Sequence, residues 1–493
     1  MPTGFDPDLY ARTQSEKILE RVRRFGGKLY LEMGGKLFDD HHAARVLPGF
    51  QPDSKIKMLS HLSDEAEILI AINANDIEKN KVRGDLGITY DQDVLRLIDA
   101  FRAAGMLVES VVITHWANQP AASAFRRRLR SLGVRVFLHY PIPGYPSDIP
   151  LVVSEKGYGR NEYVETTRPL VLVTAPGPGS GKMAVCMSQL YQEHQRGVKA
   201  GYAKFETFPI WNLPLHHPVN VAYEAATVDL GDVNMIDPFH LAAYGEQAIN
   251  YNRDVEVFPI LGAILERIWG DMPYKSPTDM GVNMAGYCIT DSDAVQDAAK
   301  QEVIRRLYTS LCEVRRGHAQ EEEVNRQRVL MQRLGLSDDD RPVIAACRKR
   351  AEATGSPAAA ILLHGGAVIT GKTSSLLGPS AALLLNALKA LAGIPKPAKL
   401  IPPEVIGPIQ DLKLNYLGNH NPRLHTDEVL VALSITASQS EAAARALSML
   451  PQLHGCEVHA SVILSEVDEN IFRRLGVRLT CDPKYQSRKL YHG

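Results

Sequence analysis

From residue 28 to about 205, short apolar runs of strand character alternate with amphipathic helical stretches. No other feature of the chain constrains its fold as much. The expected strands are KLYLEM (28–33), EILIAIN (67–73), SVVITH (110–115), VRVFLHY (134–140), LVVS (151–154), PLVLVT (169–174) and AGYAKF (200–205). Between several of them lie helical segments such as DQDVLRLIDAFRAAG (91–105) and QPAASAFRRRLRSLG (119–133). Strands that are continuously apolar are buried on both faces, and the intervening helices supply the cover. The pattern predicts an α/β fold with a largely parallel, doubly wound sheet in the N-terminal half. Such sheets bind ligands at the carboxyl ends of their strands, where loops such as 175–181 should emerge.

Beyond about residue 235 the pattern changes. FPILGAILERIWG, SDAVQDAAKQEVIRRLYTSLCEVRRG and AQEEEVNRQRVLMQRLG read as helices, interrupted by the Pro/Gly-rich GDMPYKSPTDMG (270–281). The remainder mixes a hairpin, AAAILLHGGAVITGK, and a helix, SAALLLNALKALAG, with β-α-β-like material that begins at EVLVALSIT and ends at VRLTC. The expected domains are therefore 1–235 (α/β, carrying a phosphate-loop-like turn), 236–355 (a helical subdomain) and 356–493 (α+β). A chain of 493 residues is too long for one hydrophobic core, which agrees with several domains.

A formal net charge of −1 gives bulk electrostatics no means of recruiting nucleic acid or an anionic membrane. The most basic run, FRRRLRSLGVR (125–135), fits a helix whose arginines face solvent, and no aromatic residues interleave with them. The six cysteines are scattered without C-x-x-C spacing, so neither a zinc ribbon nor a disulfide framework is expected, and a reducing cytoplasm suits them. The polar, acidic N-terminus does not read as a signal peptide, and no apolar run approaches the roughly 18 residues that span a bilayer.

Two segments compete as phosphate cradles. Such a cradle needs a delivering strand, glycines that let backbone N–H groups converge on an anion, and a following helix N-terminus. PLVLVTAPGPGSGKMAVCMSQLY (169–191) has all three, with Gly177, Gly179, Ser180 and Gly181 in the turn and Lys182 opening the helix. It departs from G-x-x-x-x-G-K-[ST] at Pro176 and at Met183, where the magnesium-holding hydroxyl would sit. Asp229, Asp232 or Asp237 could replace that ligand. The second segment, GAVITGKT (366–373), matches the pattern letter for letter. Its context is poor: Gly365-Gly366 suits a two-residue hairpin turn and AVIT a returning strand, so its amides would enter a ladder.

In KFETFPIWNLPLHHPVN (204–220), the strand carrying Lys204 should end beside the same crevice. Lys204, Glu206, Asn212, His216 and His217 are candidate substrate contacts, and the two histidines are the first candidates for a general base. A packed loop with hydrogen-bonded imidazoles explains them equally well. Arg83 and Lys81, in the polar stretch 73–91, are candidate anion ligands. Asp39 or Asp40 would cap a helix beginning near His41-His42.

GGKLYLEMGGKLFDDHHAARVLPGF, RGDLGITYD, RPLVLVTAPGPGSGKM, AKFETFPIWNLPLHHPVN and TGKTSSLLG together resemble a bacterial family catalogued as domain of unknown function 1846. The resemblance covers nearly the whole chain. It implies no particular activity and maps no catalytic residue. It does imply that GKM at 181–183 is a family habit, which argues against a standard Mg·ATP loop.

These readings lead to an enzyme of phosphoryl-transferase or ligase type. It would bind a nucleotide or phosphorylated metabolite at 175–183, with magnesium left open and neither nucleic acid nor membrane as partner. A non-catalytic binder of an anionic metabolite is the second expectation. The third is a homo-oligomeric assembly protein in which the glycine-rich turn is only structural.

Overall fold

A computed structural model describes residues 3–83 and 86–486. Gly84 and Asp85, within the polar stretch 73–91, lie outside the described residues. The chain forms two compact units, one ending at Ala299 and the other beginning at Lys300.

The first unit is built on a seven-stranded sheet of β1 (Leu29–Met33), β2 (Ala66–Asn73), β3 (Leu107–Thr114), β4 (Arg135–Leu138), β5 (Leu170–Thr174), β6 (Gly201–Phe205) and β7 (Gly281–Val282). Their order across the sheet is β7-β6-β1-β5-β2-β3-β4, and every neighbouring pair is parallel. Six of these strands fall on the apolar runs read from the sequence. The side-chain period of two sends Leu29 and Leu31 to one face and Tyr30 and Glu32 to the other. The Tyr30 face packs with Val171 and Val173 against Val185, Cys186 and Leu190 of the helix Lys182–Gln195, and against Leu261 and Ile264 of the helix Asn252–Trp269. Each fully buried aliphatic side chain there contributes about 1.5–3 kcal/mol of transfer free energy. The helices Tyr90–Ala103 and Pro120–Ser131 pack on β2, β3 and β4.

The order of the strands creates the crevice. From β2 the chain runs on to β3 and β4 at one edge, whereas from β5 it crosses β1 to reach β6 on the other side. Right-handed crossovers in opposite directions leave the sheet on opposite faces. The carboxyl ends of β2, β5 and β1 therefore border a gap between connections, the usual ligand position in an open α/β sheet.

LVVS (151–154) is not a strand. Residues Ile149–Val152 form a short helix in which Asp148 accepts a hydrogen bond from Leu151 N at 3.2 Å and Pro150 sits in the first turn. A capping carboxylate and an early proline set helical geometry over only four residues, overriding strand propensity.

The second unit contains a four-stranded sheet of β8 (Ala358–Leu362), β9 (Val368–Lys372), β10 (Glu457–Ala460) and β11 (Arg478–Cys481), in the order β9-β8-β10-β11. Only β10 and β11 run parallel. Ala358 and Ala360 pack on Val343 and Cys347 of the helix Pro342–Thr354. Ala359 and Ile361 join a larger core with Leu383, Leu384 and Leu388 of the helix Pro379–Leu391. EVLVALSIT, expected to open a β-α-β unit, is instead helical within Thr426–Ala437. Val429, Ala432 and Leu433 are buried while Val431 and Ile435 are exposed, a helical spacing that the run of β-branched residues conceals. A capping box between His425 and Glu428 starts it.

Among the described residues no helix is long and apolar enough to cross a membrane. All six cysteines are free and buried.

Candidate functional site

The turn after β5 is held by its carbonyls. Ser180 Oγ donates to Gly177 O at 2.9 Å, Asn73 Nδ2 at the end of β2 donates to Gly179 O at 3.2 Å, and Thr114 Oγ1 at the end of β3 donates to Ser180 O at 2.9 Å. Neighbouring strand ends thus engage the acceptors of the turn. Among the described residues, the amides of Gly179, Ser180, Gly181, Lys182, Met183 and Ala184 donate to no protein acceptor, and Val185 N makes the first helical bond, to Gly181 O. Free amides of this kind, beside a helix N-terminus, carry positive potential.

Two glycines have separate steric reasons. Gly181 caps the helix at φ 85°, in the left-handed region, where a Cβ would also lie 3.2 Å from Thr114 Oγ1. At Gly177 a Cβ would lie 2.2 Å from the Tyr90 hydroxyl, so Tyr90 rests on the backbone of the turn. The stretch 73–91 therefore touches the turn through Asn73 and Tyr90. Arg83, by contrast, is buried in an ion pair with Asp93 at 2.9 Å, and Lys81 pairs with Asp76 at 3.4 Å.

The helix behind the turn is clamped along its length. Gln189 exchanges hydrogen bonds with both N and O of Val164, Asn161 donates to Ser188 at 3.0 Å, and Tyr30 donates to Glu193 at 2.7 Å. Lys182 opens this helix half-buried and makes no ion pair among the described residues. Burial lowers its pKa; the Glu32 carboxylate opposes that effect, and Lys204 and Arg253 reinforce it. Met183 is partly buried against the core. Cys186 is fully buried, and burial pushes its thiol well above the ordinary range, which leaves it unsuited to nucleophilic chemistry.

A second group of charges lies beside the turn. Parallel register sets Glu32 of β1 opposite Lys204 of β6, on the face that carries the Lys182 helix. Glu32 accepts a hydrogen bond from Tyr202 at 2.7 Å. Lys204 Nζ lies 3.0 Å from Glu206 Oε1 and also pairs with Asp254 and the Tyr251 hydroxyl. Neighbouring Arg253 pairs with Asp232 at 3.0 Å. Lys204 is raised well above the usual lysine range because the surrounding anions outweigh its burial.

The remaining candidates are dispersed. Asp237 caps the helix Pro238–Tyr244, accepting from Phe239 N and His240 N through one oxygen and from Thr278 through the other. Asp229 is exposed. Among the described residues no three His, Cys, Asp or Glu side chains gather in a way that could hold a metal ion. His217 Nδ1 caps the helix Pro218–Ala226, accepting from Val219 N at 3.3 Å, and burial lowers its pKa. His216 is exposed, as is Asn212. Asp40, not Asp39, caps the helix at His41 and pairs with Lys55 at 2.7 Å. Glu32, Tyr251, Arg253 and Asp254 were absent from the sequence-based candidates. The available signal was a charge inside an otherwise apolar strand, LYLEM and GYAKF each carrying one at the fourth position.

In the letter-perfect segment, β8 and β9 pair antiparallel around a turn at 364–366 in which Gly366 N donates to Leu363 O at 2.8 Å, rather than a two-residue turn at Gly365-Gly366, with Gly371 opposite Ala359 and Lys372 opposite Ala358. A Cβ on Gly371 would lie 2.2 Å from Leu383 N, so this glycine admits the backbone of a packed helix. Thr373 donates through both N and Oγ1 to Pro357 O, and Lys372 is exposed.

The fold and turn define an open α/β protein with a glycine-rich strand-to-helix junction, followed by an α+β unit. The chain belongs to the family described as domain of unknown function DUF1846, whose N-terminal part matches residues 3–335 and whose C-terminal part matches residues 339–491. It is 59% identical over 492 residues to a UPF0371 protein of Corynebacterium efficiens, covering 100% of this chain and 99% of that one. It is 57% identical over 488 residues to a UPF0371 protein of Streptococcus pyogenes serotype M5, covering 99% of each.

Proposed function

We propose that this chain binds a nucleotide or another phosphate-bearing metabolite on the 175–183 turn and acts on it as a phosphoryl-transferase or ligase-type enzyme. The observation that carries this reading is the run of unpartnered amides from Gly179 to Ala184, which includes a lysine that has no ion-pair partner among the described residues. Backbone donors fixed by carbonyls tied to β2 and β3 need little reorganisation when an anion arrives. Lys182 adds a charge that Glu32 only partly balances. Lys204 and Glu206 are the substrate contacts beyond the phosphate. Asp237 is committed to capping and Asp232 to Arg253, so any Mg²⁺ travels with the phosphates of the ligand rather than on a carboxylate cage. The buried free cysteines suit a cytoplasmic setting.

Met183 and the lack of a metal-holding cluster among the described residues favour a second reading, a non-catalytic binder of an anionic metabolite. Titrating ATP, GTP and inorganic phosphate with and without Mg²⁺ separates the two. Mg²⁺-dependent nucleotide binding lost in Lys182→Ala supports the enzyme, and Mg²⁺-independent anion binding lost in the same variant supports the binder. If no phosphate compound binds the native chain, both fail.

A further inference from the structure

Glu206 and Asp254 set two carboxylates against a single buried lysine. Lys204 can balance one of them, and holding the second as a buried anion would cost several kcal/mol, so the cluster retains a proton. The geometry identifies its holder. Lys204 hydrogen-bonds to Asp254, which is partly exposed. Glu206 is 8% exposed, and its Oε1, although 3.0 Å from Lys204 Nζ, is out of alignment and has no hydrogen-bond partner. Lys204 and Asp254 form the hydrogen-bonded pair, which leaves Glu206 as the better placed of the two carboxyl groups to hold the proton. Burial is the main cause that pushes Glu206 up to about 8; Asp254 adds to it and Lys204 opposes it. Tyr251 and Tyr223 also face the cluster, with Glu32, Asp232 and Arg253 beyond them.

A Cβ on Gly281 of β7 would lie 3.0 Å from Glu206 Oε2, whereas one on Gly34, just after β1, would lie 2.5 Å from Phe205 O and only 3.8 Å from Glu206 Cγ. Glycine at 281 therefore keeps a side chain off the carboxyl group, whereas Gly34 admits the backbone at Phe205. The sheet spacing sets β6 about 10 Å from β5, roughly the span between a phosphate on the turn and the far end of a small metabolite.

We propose that Glu206 is an acid–base group that exchanges a proton with a substrate whose phosphate lies on the glycine turn. That substrate is one bearing an ionisable hydroxyl or amine. The proposal rests on the reading of the turn as a phosphate site. The proton moves between a Glu206 oxygen and the substrate heteroatom, while Lys204–Asp254 keeps its charge state.

Dicyclohexylcarbodiimide tests this on the full chain. It modifies carboxyl groups that are both protonated and reachable: the acid proton passes to a carbodiimide nitrogen, the carboxyl oxygen bonds to the central carbon, and rearrangement leaves an N-acylurea detectable by peptide mass spectrometry. The expected result is an adduct on Glu206 that declines several-fold as pH rises through about 8, is absent from Glu206→Gln, and is suppressed by ATP, which extends beyond the turn, and not by inorganic phosphate. Failure of Glu206 to label in the folded chain, or labelling that bound ATP leaves unchanged, overturns the proposal. The two readings fail separately. If phosphate and ATP bind but Glu206 does not label, the acid–base group falls and the phosphate site stands. If Glu206 labels with this pH dependence but neither ligand binds, the phosphate site falls, and with it the assignment of Glu206 to that site.

Discussion

Two glycine-lysine segments of this chain are related inversely to their spelling. TAPGPGSGKM breaks the phosphate-loop pattern at both ends, yet it lies between a parallel strand and a helix, with its carbonyls tied back and its amides free. GAVITGKT matches the pattern at every position, yet its backbone is spent in an antiparallel ladder. The glycines differ in the same way. Gly181 takes a left-handed conformation that frames the helix N-terminus, whereas Gly371 makes space for the backbone at Leu383. What a glycine does follows from its neighbours in space, and those are set by strand direction.

The largest expected effect falls on the structural glycine. Gly371→Ala forces a methyl into the backbone of the helix Pro379–Leu391 and should destabilise the second unit by about 3 kcal/mol in urea unfolding. Lys182→Ala should leave stability within about 0.5 kcal/mol of wild type while weakening phosphate or ATP binding at least about tenfold, roughly 1.4 kcal/mol. Gly181→Ala combines a left-handed backbone with crowding at Thr114. It should cost about 1–2 kcal/mol and impair the same binding, so a turn that kept its affinity would weaken the contrast.

A subtler difference is readable in pH. Folded Glu206 keeps its proton up to about 8, whereas the unfolded chain releases it near the ordinary carboxyl range. Between those limits the folded state binds more protons, so its stability falls as pH rises, by at most about 1.4 kcal/mol per pH unit. Glu206→Gln should remove that slope in denaturant midpoints measured across the window. Lys372→Ala is expected to have the smallest effect, within about 0.5 kcal/mol in stability and none on anion affinity.

Much of this was legible in the sequence. Six of the seven parallel strands and the helices beside them follow from uninterrupted apolar runs separated by amphipathic ones, because burial on both faces leaves that signature. β7 could not be read: Gly281–Val282 is two residues long and joins the sheet only through its pairing with β6. EVLVALSIT misleads because β-branched residues fit a strand locally, while the capping box and the burial of Val429 and Leu433 decide for a helix. Local chemistry singles out the turn and Lys182 in the sequence. Lys204 stands out in the sequence, but its partners Glu32 and Asp254 do not, because parallel register brings the first to it and the packing of the helix Asn252–Trp269 the second, and both are long-range properties.

The most direct measurement is a single calorimetric titration of ATP and inorganic phosphate into three proteins: the native chain, Lys182→Ala and Lys372→Ala. The expected result is binding to the native chain and to Lys372→Ala, with loss in Lys182→Ala alone. Binding that survives in Lys182→Ala and disappears in Lys372→Ala would contradict the assignment of the phosphate site to the turn after β5.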